Sequence, residues 1–330
     1  MTTRVAVIGL GKMGLMHASV LSMLDGVELV ALCEKSPFIR KFSKKVLPGI
    51  NIVADLEDLA QMKLDAVCVT TPPSSHFPII KAVYDGGIAG NVLTEKPLAS
   101  NHAQAEELCS LSRGQAGVNM VGYHRRFSVT FRKAKRILDE GILGNLVSFE
   151  GYAYSADFVG AKASQSLARG GVLEDSGVHI VDLTLWLLGQ MEVTSARIES
   201  LLGGGSEDEA VFEVITLGGM KGSFSASWCK DNYRLPEMGL TVEGTKGTMR
   251  VNEDQIELEP SDGKASLWYK HDLDDTVPFF IGGAEYQRQD DLFIKAICEG
   301  IEAEPSFQTA SKVEALVDQV KICAKGQAAQ

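Results

Sequence analysis

The chain has 330 residues, 45% hydrophobic and 23% charged, an ordinary globular composition with room for two domains. Its 43 acidic and 32 basic side chains give a formal charge of −11, which argues against nucleic acid as a partner because phosphate backbones need a basic footprint. No apolar run approaches the ~20 residues that span a bilayer, so no membrane partner is expected.

The first half alternates short apolar runs with helical stretches. Val5–Ile8 reads as a buried parallel strand, followed by a glycine loop and a helix from Lys12 to about Leu24. Strands follow at Val27–Cys33, Asn51–Val53, Leu64–Thr70, Val92–Thr94 and Val118–Val121. Helices at Pro37–Val46, His76–Tyr84 and His102–Ser112 separate them. This alternation predicts an α/β unit, a doubly wound parallel sheet of the Rossmann type, over residues 1–122.

After Gly122 the texture changes. A basic amphipathic helix spans Ser128–Asp139, then strand patterns take over at Leu146–Tyr154, Val193–Leu201, Ala210–Leu217, Gly222–Trp228, Gly239–Gly244 and Thr248–Val251. Gly218-Gly219 reads as a hairpin turn. One long helix, Gly170–Leu188, is inserted, and helices near Tyr286–Glu299 and Ser311–Lys325 end the chain. Residues 123–330 therefore read as a second domain built on a sheet with one face packed and the other polar or lightly covered.

The six cysteines form no CxxC pair and no zinc spacing. No metal is expected, and the thiols are expected to be free and buried, Cys68 and Cys298 among them. Met1-Thr2-Thr3-Arg4 runs into a strand without a signal peptide, so the expected location is the cytoplasm.

Gly9-Leu10-Gly11-Lys12-Met13-Gly14 has G-x-G-x-x-G spacing between a strand and a helix. The first glycine permits the tight turn, the second admits a pyrophosphate to the backbone, and the third lets helix and strand pack closely. Glu34 ends the second strand, where a carboxylate holds the adenosine ribose and repels a 2′-phosphate. NAD is therefore expected, with NADP left open by Lys35, Ser36 and Arg40.

Lys96 follows a strand end, the edge at which ligands gather on an open α/β sheet; left to itself it reads as a surface lysine. Asp175 and His179 stand i, i+4 on the inserted helix, placed to share a proton, with Asp182 a rival partner for the imidazole. The alternative is an ordinary helix-surface pair. Tyr123, Arg125 and Arg126 sit at the domain junction, where they either hold a polyhydroxylated or anionic substrate or pair with acidic residues across the interface.

Taken in order, the glycine loop with His17, Thr71-Pro72-Pro73 with His76, Glu95-Lys96-Pro97 and the helix Gly170–Asp182 resemble the Gfo/Idh/MocA family of glucose–fructose oxidoreductases and inositol dehydrogenases. The resemblance covers nearly the whole chain. It implies a Rossmann domain, a second α/β domain with an open, mostly antiparallel sheet, and a catalytic trio of Lys96, Asp175 and His179. It also implies cofactor contacts from Thr71, Pro72, His76, Glu95 and Lys96. The implied activity is reversible hydride transfer between NAD(P) and a secondary alcohol or ketone of a sugar, inositol or nucleotide sugar, in a homodimer or homotetramer paired through the second sheet. Some relatives use NAD transiently to cleave glycosides, and others are non-catalytic regulators. The chain departs from the family pattern at Asn91, Glu174 and Ser176.

Overall fold

The computed structural model describes residues 2–156, 170–202 and 206–328. They form two compact units, one made of Met1–His124 with Val277–Glu314, the other of Arg125–Thr276 with Ala315–Gln330. The first unit thus includes a late segment that a single division at 122/123 assigns to the second domain.

In chain order the first unit runs β1 (Thr3–Ile8), α1 (Lys12–Met23), β2 (Val27–Cys33), α2 (Pro37–Val46), β3 (Asn51–Val53), α3 (Leu56–Ala60), β4 (Ala66–Val69), α4 (His76–Asp85), β5 (Asn91–Thr94), α5 (His102–Arg113) and β6 (Asn119–Val121). All neighbours pair in parallel, in the order β3-β2-β1-β4-β5-β6. The order reverses between β1 and β4, so their carboxyl ends flank the crevice where such sheets bind ligands. The strands read as continuous apolar runs because both faces are covered: Val5, Ala6 and Val7 in β1 and Val67, Cys68 and Val69 in β4 are fully buried.

Local signals set the helix ends. Ser36 caps α2 by accepting from the Ile39 N–H, with Pro37 at the first position. Asn101 caps α5 in the same way on Gln104 N–H. Asn91 has a structural account: its side chain donates to Asp65 O and accepts from Val118 N–H, bridging the segments that lead into β4 and β6.

The second unit begins with α6 (Val129–Asp139) and β7 (Leu146–Tyr154). A π-helical turn at Leu173–Gly177 leads into α7 (Val178–Leu188). Then come β8 (Met191–Glu199), β9 (Glu209–Thr216), β10 (Lys221–Ser227), β11 (Glu237–Gly244), β12 (Gly247–Asn252), β13 (Gln255–Pro260) and β14 (Ser266–Tyr269). The sheet order is β14-β13-β12-β11-β7-β10-β9-β8, with β7 and β10 parallel and every other pair antiparallel. The turn between β9 and β10 contains Gly218-Gly219, with Gly219 at φ +85°. One face is packed: Phe212 stacks on Phe224 at 4.7 Å, and Phe149 meets Phe224 edge-on at 5.5 Å. The other face carries Glu150, Glu213, Ser223 and Ser225.

The chain returns to the first unit in α8 (Ala284–Glu299), which packs on α1 and β1, and ends in α9 (Phe307–Ala328). All six cysteines are free thiols. Cys298 corrects the expectation of burial: it is exposed in the last turn of α8, with its Sγ 3.7 Å from Thr3 Oγ1. Among the described residues no helix is long and apolar enough to cross a membrane.

Candidate active site

The glycine loop joins β1 to α1. Gly9 has φ +96°, a backbone state that side-chain-bearing residues avoid, and a Cβ there would meet Thr71 Cγ2 at 2.8 Å. A Cβ on Gly14 would stand 1.9 Å from Gly9 O, so α1 lies directly against the loop. Gly11 differs: among the described residues nothing lies within 4 Å of a Cβ built on it, and no side chain caps the α1 N-terminus. Open space beside Gly11 and uncapped helix N–H groups form a cradle that fits a pyrophosphate.

Glu34 leaves the end of β2 and binds the loop. One carboxylate oxygen accepts from Leu10 N–H at 2.8 Å and the other from Ser36 N–H at 2.7 Å. Arg40 donates to the Glu34 and Lys35 carbonyls at 2.7 and 2.6 Å. Its guanidinium is therefore held on the backbone of the β2–α2 loop. Lys12 is exposed, Leu10 buried and Met13 half-buried.

The β4 end contributes Thr70 and Thr71. Thr70 Oγ1 donates to Ile8 O and Gly9 O, while Ser75 Oγ donates to Thr71 Oγ1 and to Pro72 O. His76 is fully buried, with Nδ1 2.7 Å from Pro97 O and Nε2 2.7 Å from Thr71 O. Burial pulls this imidazole below its ordinary value, against the two carbonyls that favour the charged ring. His76 thus ties the Thr71–Pro72 segment to the Lys96–Pro97 segment. The Lys96–Pro97 peptide is cis.

Beyond β5, Glu95 is buried and Lys96 half-buried. Glu95 Oε1 lies 3.1 Å from His17 Nε2, and its Oε2 accepts from Lys96 N–H at 3.2 Å. His17 Nδ1 lies 2.9 Å from Asp290 on α8. Burial alone would lower the His17 value; the charge and hydrogen bond of Asp290, then those of Glu95, outweigh it and raise it to about 10. The sequence motifs do not include Asp290. Its signal is a charged residue at a core-facing position of α8, buried along with Gln287, Phe293 and Ile294.

In the second unit Asp175 is half-buried in the π-helical turn and His179 is buried in the first turn of α7. The expected uninterrupted α-helix from Gly170 is therefore corrected: the wider turn at Leu173–Gly177 precedes the regular helix. π-Helical turns of this kind are frequent at functional sites. The two departures beside Asp175 have partners of their own. Glu174 pairs with Lys321 on α9, and Ser176 Oγ accepts from the Trp228 indole at 3.2 Å.

Both junction arginines meet carboxylates of their own unit. Arg126 grips Asp182 bidentately, Nε to Oδ2 at 2.8 Å and Nη2 to Oδ1 at 2.6 Å, with the guanidinium over the Trp186 ring at 5.6 Å. Arg125 pairs with Glu253 at 2.9 Å. These acidic partners belong to the same unit as the arginines, whereas the sequence alternative places them across the domain interface, and Asp182 is committed to Arg126. Tyr123 lies in the first unit and is fully buried.

The family model described as "Oxidoreductase family, NAD-binding Rossmann fold", that of Gfo/Idh/MocA proteins, matches residues 3–123, and the Gfo/Idh/MocA C-terminal domain model matches residues 131–250. The chain belongs to the Gfo/Idh/MocA family. This Gfo/Idh/MocA protein is an oxidoreductase, and its first unit is an NAD-binding Rossmann unit. It is 24% identical over 340 residues to an inositol 2-dehydrogenase of Rhizobium meliloti, covering 96% of each chain. It is 30% identical over 199 residues to a scyllo-inositol 2-dehydrogenase (NAD+) of Bacillus subtilis, covering 58% of this chain and 55% of that relative. The fold matches a levoglucosan dehydrogenase solved with NADH and L-sorbose at a TM-score of 0.87 and 21% identity, over 99% of this chain and 98% of that one.

Proposed function

We propose that this Gfo/Idh/MocA protein is an NAD-dependent dehydrogenase acting reversibly on a secondary alcohol of a sugar, inositol or nucleotide sugar. The observation that carries the reading is the end of β5, where a half-buried lysine stands in a unit whose glycine cradle fits a dinucleotide. The relatives named for inositol oxidation support the substrate class.

Bound NAD supplies the hydride acceptor. The residues that hold it are Gly9 to Gly14, Glu34, and the Thr71–Pro72 segment, with Lys96 beside it. Glu34 favours NAD over NADP through its charge, and Arg40, held on two carbonyls, gives a 2′-phosphate little help. In the oxidation direction His179 takes the hydroxyl proton, Asp175 supports the charge that develops on the ring, and the Lys96 ammonium stabilises the forming alkoxide. Lysine supplies the positive charge that other alcohol dehydrogenases draw from a metal. We further propose that copies pair through the open face of the second sheet.

The test follows NADH absorbance for wild-type protein and Lys96→Met over a panel of sugars, inositols and nucleotide sugars. At least one alcohol yields NADH with wild type, and Lys96→Met loses about 100-fold or more in turnover while still binding NADH. Full turnover in Lys96→Met rejects the assignment.

A further inference from the structure

His17 sits on α1, one turn beyond the glycine loop, with its side chain 1% exposed. Both ring nitrogens face carboxylates: Nδ1 faces both Asp290 oxygens at 2.9 and 3.0 Å, and Nε2 faces Glu95 Oε1 at 3.1 Å. Two carboxylates can be satisfied together only if both nitrogens carry protons, so the geometry itself calls for an imidazolium. Removing a proton would leave one carboxylate buried against a bare ring nitrogen.

The other groups around this cluster act on it in known directions. From β4 comes the Cys68 thiol, pushed well up by burial and by the charges of Asp290 and Glu95, hence neutral. From α8 come Gln289, which donates to Asp290 at 3.3 Å, and Tyr286, whose ring meets His17 edge-on at 6.1 Å. His124 stacks on Tyr286 at 4.2 Å. His76 on α4 is held low by burial and adds little charge. Among the described residues, Lys96 is the other cation whose charge acts on Glu95. Burial alone would raise the Glu95 carboxyl; the hydrogen bond and charge of His17, then the charge of Lys96, bring it below its ordinary value instead.

Glu95 is the link outward. Its second oxygen accepts from the Lys96 backbone N–H at 3.2 Å. We propose that His17 is a positioning residue: clamped as an imidazolium between Asp290 and Glu95, it holds the Glu95 carboxylate against the Lys96 N–H and so fixes how Lys96 leaves the end of β5. The role deepens the assignment of Lys96 and rests on it. A cluster that only ties α8 to α1 would stabilise the fold without touching turnover.

The experiment compares His17→Gln, Asp290→Asn and Lys96→Met with wild type. All four are full-length, checked by circular dichroism and NADH binding, and assayed with the alcohol that yields NADH. His17→Gln is expected to bind NADH near normally and to lose roughly 10- to 100-fold in kcat, with a much smaller change in KM. Without the imidazolium, burial governs Glu95 and its carboxyl rises, so the acid limb of the kcat/KM profile moves to higher pH. Asp290→Asn is expected to move the limb the same way by less. A folded His17→Gln with wild-type kcat and an unmoved acid limb overturns the proposal, while loss of turnover in Lys96→Met leaves the catalytic reading standing. Turnover retained in Lys96→Met overturns both. Nitrogen-15 NMR of wild-type imidazoles gives a readout that needs no variant to fold. Two protonated His17 nitrogens between about pH 6 and 9 support the proposal, and a ring that loses a proton in that window overturns it.

Discussion

The Glu34 carboxylate spends both oxygens on the chain itself, one on Leu10 N–H and one on Ser36 N–H. It therefore shapes the glycine loop, in addition to the proposed role of its charge in disfavouring a 2′-phosphate. Glu34→Ala is predicted to weaken NADH binding by about tenfold, the loss of roughly one charge-assisted hydrogen bond. It should not invert cofactor preference, because Arg40 remains committed to the Glu34 and Lys35 carbonyls. Fluorescence titrations with NADH and NADPH check this; a variant that prefers NADPH would contradict it. The Arg126–Asp182 pair makes a second prediction at this scale. Both side chains are buried, at 8% and 1% exposure, so Asp182→Asn leaves a guanidinium without its full counter-charge. A loss of about 3–5 kcal/mol is expected in urea unfolding, and a loss under about 1 kcal/mol would show that the pair is not fully desolvated.

At the scale of elements the glycine loop separates folding from binding. Gly14→Ala puts a methyl 1.9 Å from Gly9 O, a backbone atom that cannot move aside without shifting α1. It should cost about 1–3 kcal/mol of stability. Gly11→Ala meets nothing within 4 Å and should fold as wild type while losing NADH affinity. Thermal melts with and without NADH check the pair, and a destabilised Gly11→Ala would contradict the open cradle. Most elements were legible because their signals are local: apolar runs for β1 and β4, the Ser36-Pro37 start of α2, the glycine turn before β10. Strands β13 and β14 are not legible in the sequence. Gln255–Pro260 alternates cleanly, with Ile256 and Leu258 buried, but Glu257 and Glu259 lower its strand propensity. β14 is a short edge strand with Leu267 and Tyr269 exposed, so burial leaves little pattern to read. The π-helical turn at Leu173–Gly177 has no periodic signature in so few residues.

Across the whole molecule, what could be read depended on sequence distance. Lys96 was legible as the residue just past a parallel strand, and the glycine loop as the first β–α turn. The His17–Asp290 pair was not, because 273 residues separate its members and no local pattern links them. The proposed assembly is also a property of this scale. The outer face of the second sheet presents Glu150, Glu213, Ser223 and Ser225 in adjacent strands, a polar surface suited to self-pairing about a two-fold axis. Sedimentation velocity is predicted to show a dimer or tetramer that Ser225→Arg dissociates; a wild-type monomer would reject the assembly. The proposed reaction passes hydride from a carbinol carbon to the nicotinamide. The direct measurement uses the alcohol that yields NADH, deuterated at that carbon, and reads the NADH by mass spectrometry. The deuterium is expected to appear in the NADH formed. NADH carrying only ordinary hydrogen would contradict it.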